Sequence, residues 1–204
     1  RMMEDAFPVI FKGSKYEDAM PIGHLDVINN FSPDALRDYY NKWYRPDLQA
    51  VVIVGDVDVN AIENQIKQLF GDISLPPNAP QRRYYPVADN ERMITHVMRD
   101  SEQPIALAHL YMKRDAKPTS ARSDEHYRKE IYEKDLICLM LNERLSKRQS
   151  EAKAPFTAAS VKDGKFLIVQ TKNAFSLSVS CKGDQVEEGL SAAVGLIEQA
   201  RQKG

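Results

Sequence analysis

Any chemistry in this chain would have to come from its four histidines, its two cysteines or the Gly55-Asp56-Val57-Asp58 corner. A zinc site on a helix needs two histidines one turn apart, so that both ring nitrogens reach one ion. His24, His96, His109 and His126 are not spaced that way. Asp124-Glu125-His126 comes nearest to the inverted zinc motif H-x-x-E-H, but Arg122 stands where its first histidine belongs. His109 falls in a predicted strand and His126 on a charged helix, so packing and solvation account for both.

The Gly55-to-Asp58 corner lacks what a ligand would need. A calcium loop wants oxygen ligands at alternating positions and a closing glutamate, and Val57, Val59 and Ala61 break that pattern. A phosphate cradle wants more glycine and a lysine. The residues present suffice for a scaffold corner: Gly55 ends a strand and Asp58 caps the next helix. Cys138 and Cys181 sit in apolar surroundings and read as buried free thiols, and no serine lies in a G-x-S-x-G elbow. The run 99–103, RDSEQ, reads as a solvated turn, and 147–153, KRQSEAK, as the polar end of a helix. On the residues alone, the expected catalytic, cofactor and metal sites are none.

The whole chain sets further bounds. Its 204 residues suffice for one large domain or two smaller ones, with 43% hydrophobic and 28% charged residues. A net charge of −1 gives no footprint for nucleic acid or anionic lipid. No apolar run approaches the ~20 residues that span a bilayer. The chain opens on Arg1, which reads as a cut into a longer polypeptide. Nothing in it specifies a compartment.

The elements that would position these residues follow from periodicity. Ser32, Pro33 and Asp34 open a helix over 32–44 whose Leu36, Tyr39, Tyr40 and Trp43 share one face, with Trp43 expected to be buried. Residues 49–54 predict a strand, and Asp58 opens a helix running to Gly71 as C-cap. The proline-rich stretch 76–92 predicts a linker. Strands are expected at 93–99, 104–114, 157–162, 165–172 and 175–182, with Asp163-Gly164 and Asn173-Ala174 as turns. Helices are expected over 123–149 and after an Asp184/Glu187 capping box. This order predicts an α+β fold, with helices packed on one face of a mainly antiparallel sheet.

Ile22-Gly23, Tyr44-Arg45-Pro46, the apolar run into Gly55-Asp56 and the helix ending Phe70-Gly71 occur in that order and spacing. In this the chain resembles the M16 zinc metallopeptidases, the pitrilysin and insulinase group. LNERLSKR at 141–148 and the closing strands and helix are similar to the family's second repeat. The resemblance implies LuxS/metallohydrolase-like repeat units. Residues 1–75 would be the C-terminal part of the first unit, 76–92 the linker and 93–204 most of the second, with 1–73 expected to be the less protected part.

It also implies that the chemistry lies elsewhere. The family's zinc ligands and general base sit in an H-x-x-E-H motif and a later glutamate upstream of the matching region. This chain has no such motif, and Glu4 is too weakly placed to be the third ligand. Arg148 and Phe156 lie near the place of the arginine and tyrosine that help hold substrate in the family's other half, but phenylalanine lacks the hydroxyl. Either this is the catalytic half, which does not need that pair, or the pair is lost. The implied function is a non-catalytic fragment of a zinc metalloendopeptidase, supplying scaffold and chamber wall, with zinc in the parent protein. Its partners would be the rest of that polypeptide or a second M16-like half, and peptide substrates in the parent. The alternative is a non-catalytic scaffold or partner subunit.

Overall fold

A computed structural model describes residues 2–204. It divides into two compact units, one formed by residues up to Met20 with Tyr84–Gly204, the other by Pro21–Arg83.

The larger unit is built on a three-stranded antiparallel sheet: β1 (Ala106–Asp115), β2 (Ala158–Lys165) and β3 (Lys172–Cys181), ordered β1-β3-β2. Ala106 pairs with Cys181 at one end of β1 and Asp115 with Lys172 at the other; Ala158 of β2 faces Ser180. Side chains alternate between the faces of a strand. One face carries Leu110, Val161, Leu177, Val179 and Cys181, and two helices cover it. These are α5 (Glu125–Gln149), which contributes Cys138, Leu141 and Leu145, and α6 (Val186–Lys203), which contributes Ala193. Part of the opposite face, at Tyr111 and Ala174, packs with Phe7 and Phe11, the former on helix α1 (Met2–Ile10), and with Val87, Phe166 and Val169. The α+β class and the packing of the two long helices on an antiparallel sheet are as expected.

Within this unit the turn chemistry differs from expectation. Asp163-Gly164 and Asn173-Ala174 lie inside strands, Asp163 opposite Phe175 and Gly164 opposite Ala174. The chain reverses over 166–171 instead, because Phe166 and Val169 are buried there and draw the loop onto the second core cluster. Two long strands therefore replace three short ones. Asp184 does not cap α6; Gln185 stands at that position, without a side-chain cap bond. Residues 93–99 form no strand, since a strand exists only through a ladder partner and none pairs with them.

The smaller unit holds α2 (Leu25–Asn30), α3 (Pro33–Trp43), a 3-10 turn at Pro46–Leu48 and α4 (Val59–Phe70). Ser32 accepts the Ala35 N–H at 3.1 Å and Asp58 accepts the Ala61 N–H at 3.0 Å, so both expected N-caps form. Gly71 does follow α4, but in helical conformation at φ −63° rather than as a left-handed cap. The expected strand over 49–54 is absent and its valines stand exposed. Trp43 is only half-buried, with Lys42 Nζ 5.2 Å from its ring centre. The helical face that should have hidden it has no counterpart layer here.

Candidate functional site

The residues singled out by type fall in separate places. His24 precedes α2 without capping it, His96 lies in an irregular stretch and His126 is in the first turn of α5. His109, on the sheet face away from α5 and α6, shares a 2.9 Å hydrogen bond between Nδ1 and the Ser178 hydroxyl and stacks near Tyr111. Glu4 is in the first turn of α1. Zinc needs three or four protein donors converging within about 2.3 Å. Among the described residues no group of three or more His, Cys, Asp or Glu is placed to hold an ion. Among the described residues the donor set does not fit zinc.

Both cysteines are free and belong to the helix-side core, where burial pushes each thiol up and away from the reactive thiolate. Arg148 is paired with Glu151 at the end of α5, while Phe156 is 2% exposed within the core. Phe156 is thus a packing residue.

Two charged arrangements were not visible in the sequence. Lys172, 5% exposed, donates from Nζ to Asp89 and to Asp115, each at 2.7 Å. Burial pushes its ammonium down, but the hydrogen bonds and charges of Asp115 and Asp89 outweigh that and leave its pKa raised. Asp89 ends an extended strap held also by Ser14 Oγ on Pro86 O (2.7 Å), Lys113 Nζ on Ala88 O (2.9 Å) and Thr171 Oγ1 on Tyr85 O (3.2 Å). Val87 plugs the second core beneath it. These partners are far apart along the chain, so no local signal could have found them.

In the smaller unit Arg45, 3% exposed, forks onto Asp47 through Nε at 2.9 Å and Nη2 at 3.0 Å. Its Nη1 has no partner among the described residues, a cost of about 1–3 kcal/mol. The fork borders a cavity of about 640 Å³ lined also by Leu48 and by residues of 75–82, without histidine or cysteine. Taken together, the Lys172 and Arg45 arrangements brace the backbone and shape surfaces.

Comparison with known proteins adds lineage. The family model described as the peptidase M16 inactive domain matches residues 30–204. A zinc protease PQQL-like protein of Arabidopsis thaliana is 30% identical over 162 residues, which is 79% of this chain and 17% of the relative. The probable zinc protease PqqL of Escherichia coli is 24% identical over 202 residues, 97% of this chain and 21% of the relative. The crystal structure of the periplasmic protease PqqL from Escherichia coli superposes with a TM-score of 0.80 at 21% identity, covering 99% of this chain and 22% of that one. The chain therefore spans about a fifth of the length of these relatives.

Proposed function

The chain belongs to the M16 peptidase family, and from that premise we propose that it is a non-catalytic part of a zinc-dependent metalloendopeptidase, supplying scaffold and chamber wall. The observation that carries this reading is that a model of the family's inactive domain covers residues 30–204. Relatives named as zinc proteases support placing the metal and its general base in the parent polypeptide. Residues 1–75 then close a first repeat unit, 76–92 link, and 93–204 form most of a second. The partner is the rest of that polypeptide or a second M16-like half, and peptides are the parent's substrate.

The test is metal analysis and a peptide-cleavage assay on the purified 204-residue chain. The expected result is no stoichiometric zinc and no hydrolysis. One tightly held zinc per chain, or turnover abolished by a chelator, would overturn the reading. Among the described residues no helix is long and apolar enough to cross a membrane.

A further inference from the structure

Helix α5 has two apolar sides. Cys138, Leu141 and Leu145 face the sheet. Half a turn away, Tyr132, Leu136 and Met140 make an i, i+4, i+8 ridge with exposures of 64%, 40% and 57%. A contiguous apolar row on the outer face of a charged helix is the mark of an interface, where a single exposed leucine is not.

The charges at the ends of the ridge decide what fits it. At 100° per residue, Glu125, Lys129, Glu143 and Lys147 share the face of the ridge, and all four are exposed. Their order inverts about Leu136. Lys129 lies as far before it as Glu143 lies after it, and Glu125 and Lys147 are related in the same way. Tyr132 and Met140 are mates by the same rule.

We propose that this face of α5 docks a second copy of the chain, antiparallel, about a twofold axis at Leu136. Leu136 then meets its own copy, Tyr132 packs on Met140 of the second copy, Lys129 faces Glu143, and Glu125 faces Lys147. Each contact off the axis is made twice, as a twofold interface requires. A parallel pairing would set like charges together, so the charges choose the direction. The exposed intrahelical pairs Lys129–Glu133 (3.9 Å) and Lys147–Glu143 (2.9 Å) compete only weakly. One helix length of seam places the dimer in the small, concentration-dependent class.

Sedimentation velocity of the 204-residue chain over a wide concentration range tests this. The expected result is a monomer–dimer equilibrium weakened by about tenfold in Lys129→Glu and in Glu143→Lys, and restored by the double substitution. Rescue separates a paired seam from general stickiness, and far-UV circular dichroism confirms that the exposed substitutions leave the helix folded. In the same seam Leu136→Cys oxidises to a covalent dimer across the axis. A chain that stays monomeric, a dimer indifferent to both reversals, or a double variant no tighter than the singles would overturn the proposal.

Discussion

The Asn142 side chain on α5 holds both backbone groups of Val161 on β2: its Nδ2 donates to Val161 O at 3.0 Å, and its Oδ1 accepts the Val161 N–H at 2.7 Å. β2 is an edge strand, and at Val161 its N–H and C=O point away from β3. One amide thus stands in for the next strand at that residue and fastens the helix to the sheet margin.

Asn142→Ala removes both bonds and should destabilise the chain by about 1–3 kcal/mol in urea unfolding. Asn142→Asp keeps the shape but turns a donor into a second acceptor facing the Val161 carbonyl, and should cost at least as much at neutral pH. An aspartate variant as stable as the parent would show that the pair carries no energy.

Gly189 sits where α6 crosses β3. A Cβ there would collide with Cys181 Sγ and stand 2.9 Å from the Pro155 carbonyl oxygen. Alanine is the better helix former by about 1 kcal/mol, yet overpacking costs about 1–3 kcal/mol, so the clash should win. Gly189→Ala should therefore lower the thermal midpoint, whereas Gly195→Ala, with open space around it, should hold or raise it. Equal shifts at the two glycines would refute the close approach.

Lys172→Met keeps a buried chain of similar length and leaves Asp89 and Asp115, 70% and 83% exposed, free to hydrate. Global stability should then stay within about 1 kcal/mol, because exposed carboxylates tolerate the loss of a partner. The local effect should be larger: backbone amides over 84–90 should exchange faster as the strap loses its lysine. Unchanged exchange there would assign the strap's order to Val87 alone.

Glu130 is held down to about 2 by hydrogen bonds from Lys117 and Lys134, against an ordinary value of 4.5. A depressed folded-state pKa adds stability above the unfolded value, and that stability is lost as pH falls from about 4.5 to about 2. The difference in chemical-denaturation midpoint between the parent and Glu130→Gln should accordingly be present at pH 6 and largely lost by pH 2. A gap that is the same at both pH values would mean that Glu130 acts through packing rather than charge.

The sequence revealed those parts of the fold that local chemistry decides. Ser32 and Asp58 cap α3 and α4 as anticipated because a cap needs only the next three residues. The Tyr44-Arg45-Pro46 and Gly55-Asp56 steps pointed to the family by order and spacing alone. Strands did worse, since β-branched runs such as 49–54 pair only if a neighbour is present. Asp163-Gly164 carried a strong turn signal, but burying Phe166 and Val169 moved the reversal downstream. The absence of a zinc-type spacing was readable. The bonds from Lys172 to Asp115 and Asp89, across 57 and 83 residues, were not.

The bare valine run at 51–54 also matters for handling the chain. Val52 and Val54 are 82% and 92% exposed, and the run bears no charge and no proline to break it. Such a segment is a template for fibrillar cross-β stacking between molecules. A lysine at Val52, on a surface where nothing packs, would act as a gatekeeper and keep concentrated samples clear.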